Sequence, residues 1–215
     1  MNYTDKMLYE DKSKILYSPY YAALAWRQHG TGNITAKDFL TQKIELIKLI
    51  VARYFGNNRD TSCIEMLALA DSLSTTPFGF GGEKVLKESL GYDKDKLTMI
   101  IAEELNLSEF MQNHLDRDTP EIDASDAIIR WLDKKLEGVD LLTDEIKQEI
   151  LNSSDEDMSK VTTPPLSPEE IEKTNEQERR MEQVIKQAQK QGNPSPLKYI
   201  LSTKEKDFVD ANVDK

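Results

Sequence analysis

Apolar positions along this 215-residue chain recur at steps of three and four, and most such runs are bracketed by residues that start or stop helices. The clearest run covers residues 36–55, where Leu40, Ile44, Ile47, Val51 and Tyr54 form one stripe. Thr35 and Asp38 precede it at capping-box spacing, with Asp in place of the preferred Glu, and Gly56 suits the left-handed residue that ends a helix. Upstream, Ser18-Pro19 reads as a cap followed by a first-turn proline, opening a helix over YYAALAWRQH that Gly30 stops. Downstream, a helix over about residues 60–73 buries Ile64, Leu67, Ala68 and Leu73. Shorter helices follow over 83–90, ended by Gly91, over 95–105, and over 109–115 behind a Ser108 cap. Asp123 and Asp126 open another, in which Ile128, Trp131, Leu132 and Leu136 share a face before Gly138, and Thr143 starts one through Ile146, Ile150 and Leu151. TTPFGFGG interrupts the pattern as a loop. No stretch shows the strict alternation or β-branched clustering of strands, so the fold class is all-α.

The pattern changes near residue 152. SSDEDMSKVTTPPLSP has almost no apolar content, and such a segment buries too little surface to offset its ordering entropy, which predicts a flexible linker. Ser167, Pro168 and Glu170 then supply cap, first-turn proline and capping-box partner together, starting a helix that runs to about Gln191 and ends at Gly192. Its first half is nearly all polar, supported by pairs such as Glu176–Arg180 worth only about 0.2–0.5 kcal/mol each. Its apolar positions are Ile171, Met181, Val184, Ile185 and Ala188, so it needs a partner surface. A short apolar patch follows: Leu197, Tyr199, Ile200 and Leu201. The expected organisation is a compact multi-helix domain over residues 1–151, a linker over 152–166, and a C-terminal helix and interaction tail over 167–215.

Charge refines this division. The net charge is −11, and residues 93–151 carry 7 Lys+Arg against 16 Asp+Glu, whereas residues 1–92 carry 11 against 10. An acidic middle repels phosphate backbones and anionic lipid. The single Cys63 excludes an internal disulfide, the first residues lack the apolar core of a signal peptide, and no run approaches the roughly 20 apolar residues that cross a bilayer. These features predict a soluble protein of a reducing compartment, cytoplasmic or otherwise intracellular.

Four stretches invite a chemical reading. His29 and His114 are far apart and lack a Cys or His at ligand spacing, and YDKDK, with Asp93 and Asp95, has no glycine at the sixth position of a calcium loop; neither metal nor cofactor is expected. Cys63 sits beside Ile64 on a helix, where a free cysteine reads as a small core residue rather than a nucleophile. Pro77 to Lys84 has glycines and a lysine but not the spacing, or the preceding strand, of a phosphate-binding loop. Its Phe78 and Phe80 suit a docking surface, because exposed aromatics bury much area at little entropic cost. Finally, Leu97–Leu115 is similar to a helix-turn-helix, but residues 93–118 hold 3 basic against 7 acidic side chains, which leaves little for phosphates.

No set of residues in this chain spells out catalysis. The expectation is a non-enzymatic structural, assembly or adaptor protein that binds a protein partner or its own copies. The contacts fall on Phe78, Phe80, Met181, Val184, Ile185, Ala188, Leu197, Tyr199, Ile200 and Leu201. The helical residues of that set can equally close the core of their own chain. The alternative is a helix-turn-helix DNA-binding protein, such as a small DNA-packaging subunit or regulator. A motif-free helical body with a polar tail is also similar to virion-assembly proteins of bacteriophages, which makes a virion one expected setting.

Overall fold

The structure, a computed structural model, describes residues 5–56, 60–120, 122–153, 166–190 and 201. Its centre is α4 (Ser62–Ser72), in which Ile64, Met66, Leu67, Ala68, Leu69 and Ala70 are all buried. A helix that is apolar all round must be surrounded. Around it pack α1 (Asp5–Leu16), α3 (Ala36–Phe55), α6 (Lys94–Glu104), α7 (Glu109–Leu115) and α8 (Ala124–Leu136), with α9 (Asp144–Asn152) against α3. The fold is all-α apart from one small hairpin.

The hairpin corrects the expected second helix. α2 stops after Pro19–Ala23, capped by Ser18 as expected, and β1 (Gln28–His29) then pairs antiparallel with β2 (Ile34–Thr35). Two pairs of residues are too short to leave a period-two pattern. The turn is held from outside: the Asp140 carboxylate accepts from the Thr31 amide (2.8 Å) and hydroxyl (2.6 Å). α1 itself is an addition, because its one buried stripe, with Asp11 and Ile15, gives little apolar signal.

Capping chemistry follows the sequence closely. Thr35 accepts from the Asp38 amide and donates to its carboxylate, and Ser167 and Glu170 cap each other across α10 (Pro168–Lys190). Gly91 and Gly138 take positive φ where their helices end. On α3 the stripe is as expected except at Tyr54, which is exposed, its hydroxyl turned toward the carbonyls of α9's last turn.

α5 (Gly79–Leu90) begins four residues earlier than expected, within the glycine-rich run. That run is a helical docking face. Phe78, in the left-handed region with φ 65°, is fully buried. It joins Val85, Leu86 and Leu97 in a second apolar cluster, which Met181, Val184 and Ile185 of α10 complete. α10 therefore packs on its own chain. A Cβ on Gly81 would lie 2.5 Å from the Thr174 carbonyl and 2.6 Å from the Gln177 Cβ, so only glycine allows the two helices to approach this closely. The Gln177 side chain, buried in the polar half of α10, accepts from the Gly81 amide (3.2 Å) and donates to the Gly30 carbonyl (3.2 Å). The outer face is self-paired, with Arg179 and Arg180 bonded to Glu176 at 2.8–2.9 Å and holding its carboxyl at about 2.

Candidate functional site

Several charged residues of this chain are placed where only apolar side chains are usual. Lys43 sits on α3 in phase with Leu40, Leu46 and Ile47, Asp71 ends the apolar α4, and Asp126 lies on the core side of α8 one turn before Ile129. A lone buried charge is prohibitive, so such groups must meet. They do. The Asp71 carboxylate, 2 % exposed, takes Lys94 at 2.7 Å, Lys43 at 3.5 Å and Arg117 at 3.7 Å. Asp133 takes Lys43 at 2.6 Å and Arg117 at 2.8 Å. Asp126, fully buried, takes Arg130 at 2.8 Å and Arg117 at 3.3 Å. Arg130 also donates to the carbonyls of Thr119 (2.8 Å) and Asp116 (2.9 Å), which fixes the connection into α8. Four cations and three carboxylates thus tie α3, α4, α6 and α8 together.

The network lies under a cleft of about 730 Å3, inside the roughly 300–1,000 Å3 range of small-molecule sites. One wall is the hairpin and the start of α3, where His29 stacks on Phe39 with ring centroids 3.5 Å apart and meets the edge of Phe80 at 6.1 Å. The last residue of α4 brings Ser72, the loop after it Ser74, Thr75 and Thr76, and α5 brings Phe80 and Glu83. Charges of both signs complete the lining, with Lys43, Lys94, Arg117, Arg130 and Lys134 beside Asp95, Asp133 and Glu137. Lys94 is the member of the network most open to this space, with its side chain 38 % exposed.

Burial and neighbours set the ionisation here. Burial alone would push the Asp71 carboxyl up, but Lys94, Lys43 and Arg117 outweigh it and hold the group well below the usual carboxylate range. Burial also opposes the charge on Lys94, and Asp71 and Asp133 more than restore it, leaving its ammonium above the ordinary lysine range. Glu83 is raised by burial despite Lys94 and Lys87, and Asp95 by burial and by Asp71. His29 is pushed down by burial and is neutral, and because the Val139 carbonyl 3.0 Å away can only accept, Nε2 carries its proton.

These directions predict the acid response. His29, depressed in the fold, contributes stability that is present above its unfolded value near 6.5 and is lost as pH falls below it. Asp71, also depressed, contributes above the unfolded value near 3.9 and is lost as pH falls further. The urea midpoint should therefore decline in two stages between about pH 7 and pH 3. Glu83 and Asp95, raised in the fold, oppose this by gaining stability as pH falls. The His29 stage is therefore the part of the decline that His29→Phe removes, and an unchanged profile in that variant would contradict the assignment.

Of the residues expected to form contacts, Phe78, Met181, Val184, Ile185 and Ala188 are buried inside the chain. Of the two arrangements open to the stripe, it closes on its own chain, with α5 as the apolar surface that the helix needs. Phe80 is half-buried and lines the cleft, and Leu201 is buried in the main core, its carbonyl accepting from the buried Arg27. Leu197, Tyr199 and Ile200 lie outside the described residues. Cys63 packs at the edge of the core, and burial, aided by Asp123, pushes its thiol up to about 11, which leaves it a poor nucleophile. His114 lies between the Phe110 carbonyl and the Asp123 carboxylate, away from the cleft lining. Among the described residues no group of side chains could hold a metal ion, and no helix is long and apolar enough to cross a membrane. No family model, curated protein or solved structure matches this chain.

Proposed function

We propose that this chain is a non-catalytic binding protein, an adaptor or assembly component that takes up a small polar ligand in the cleft above the ion network. The observation that carries this reading is the coincidence of a sizeable cleft with charged groups that are rigidly placed and already paired. Arg117, Arg130, Lys43 and their carboxylates spend their hydrogen bonds on each other at 2.6–3.5 Å, which suits preorganised binding better than proton transfer. A thermal-shift screen of the full chain against nucleotides, sugar phosphates, carboxylic acids and polyamines tests it. At least one class should raise the melting temperature saturably and be recovered unchanged. Recovery of a chemically altered compound would overturn the non-catalytic part, and no shift with any class would overturn the ligand.

A second reading, self-assembly or docking on a protein partner, is favoured by α1. Tyr9, on the side of α1 opposite Asp11 and Ile15, is 73 % exposed, and Tyr17, just past the end of α1, is 90 % exposed; exposed tyrosines are frequent interface anchors. Light scattering on the wild type and on Tyr17→Ala decides it: the variant should lower the oligomeric mass, and a monomeric wild type removes the self-assembly form. Nothing favours the DNA-binding alternative, since the Asp11 carboxylate caps the start of α7 by accepting from the Ser108 amide at 2.9 Å, where a phosphate would sit.

A further inference from the structure

We infer that α10 is a strap that controls the cleft: docked on α5 it holds the hairpin wall closed, and its release frees that wall. This rests on the reading of the cleft as a ligand site and adds how access to it is regulated. One side chain makes the connection. Buried Gln177 accepts from the Gly81 amide of α5 through Oε1, and its Nε2 donates to the Gly30 carbonyl and to Gln28 Oε1, each at 3.2 Å. Gln28, Gly30, Gly79 and Phe80 line the cleft, whereas α10 contributes none of the lining among the described residues. A single amide of α10 therefore staples the hairpin wall to the α5 wall from outside the cavity.

The seam under this staple is tight. The Phe80 amide donates to the Gly30 carbonyl at 2.9 Å, and a Cβ on Gly79 would collide with that carbonyl and lie 2.8 Å from Gln177 Nε2. One turn earlier on α10, Lys173 donates to Asn33 Oδ1 at 3.2 Å. Asn33 in turn donates to the Asp140 carboxylate, which holds the hairpin turn. α10 thus reaches the hairpin at two points, both in its polar half.

The other half supplies the grip. Met181, Val184 and Ile185 close the cluster around Phe78, Val85 and Leu86, and with Gln177 and Ala188 they are the buried residues of a 23-residue helix. A helix that buries so little opens at lower free energy than α4, which is surrounded by core. Grip and staple lie on one helix, so loss of the grip takes the shared partner from the Gly30 carbonyl and the Gly81 amide. Such coupling is reciprocal: a ligand that favours the closed wall favours docked α10 by the same factor.

Hydrogen exchange of the full chain tests this, read at the Phe80 amide and the hairpin amides over 28–35, with α4 as internal reference. Gln177→Ala should leave α10 gripped by its apolar half and speed exchange at those amides about tenfold. Val184→Asp, at a position that lines no part of the cleft, should release α10 by placing a charge in the apolar cluster. Trypsin should then cut at Arg179 and Arg180, and the same amides should exchange at least about tenfold faster while α4 is unchanged. Lys84→Ala, on the same seam, should alter neither reading. A compound that raises the melting temperature in the screen should slow tryptic cleavage of α10 severalfold in the wild type and not in Gln177→Ala. Wild-type hairpin exchange in Gln177→Ala overturns the strap, and that variant decides the matter if Val184→Asp fails to fold. Released α10 beside unchanged hairpin exchange overturns it equally, and so does a ligand that leaves cleavage unaltered. Exchange as expected with no ligand from any class overturns the ligand reading and not the mechanical link between α10 and the wall.

Discussion

Asp71→Asn should lower stability by about 3–5 kcal/mol and the melting temperature by roughly 10 °C. The substitution keeps the shape of the side chain and removes its charge. Lys43, with its side chain only 5 % exposed, and Arg117 then share Asp133 while Lys94 loses its partner. Breaking a buried pair leaves a charge in a place that water reaches poorly, and that penalty exceeds what the intact pair contributed. The cost is smaller than for a fully enclosed triad, because Lys94 is partly open to the cleft and is screened there. Urea denaturation at pH 7 measures it. Loss of less than about 1 kcal/mol would mean that water already compensates these cations. The variant should also lose part of the lower-pH decline, because Asp71 no longer titrates there while depressed carboxyls such as Glu176 and Asp123 still do.

Gly81→Ala should undock α10. In an isolated helix the change would be favourable by about 1 kcal/mol. Here the new methyl meets the Thr174 carbonyl at 2.5 Å and the Glu178 amide at 2.7 Å, both backbone atoms that no rotamer change can move. Overpacking of this kind costs about 1–3 kcal/mol, and the separation also breaks the Gly81–Gln177 hydrogen bond. α10 is too polar to persist alone, so its release should remove much of the circular-dichroism signal of its 23 residues and expose its arginines to trypsin. Lys84→Ala, which removes only an exposed pair with Glu178 on the same seam, is the control and should leave helicity and protease resistance unchanged. A Gly81→Ala protein with wild-type helicity and resistance would show that the seam accommodates the methyl without releasing α10.

What could be read from the chain depended on range. Caps and stops act within one turn, and Thr35, Ser108, Asp123, Thr143 and Ser167 all occupy the cap positions that their spacing indicates. The apolar stripe of α3 was equally legible, because its period is a local property. The glycine-rich start of α5 was not. Glycine normally breaks helices, and at Gly81 it is retained because another helix, nearly a hundred residues on, lies against it. The cleft left one trace: Lys43 falls on a core-phase position, a charge that has to be answered from elsewhere.

An all-α protein, most of its helix boundaries, the acidic middle and an amphipathic C-terminal helix in need of a surface were legible in the chain alone. Those follow from periodicity and capping, whose causes lie within a few residues. Tertiary structure decided that α5 is that surface and that Asp71, Lys94, Arg117, Asp126 and Asp133 form one network under a cleft. The reason is electrostatic as much as steric. These charges come from α4, α6, the turn before α8 and α8 itself, and each is tolerable in the interior only because the fold brings its partners within a few ångströms.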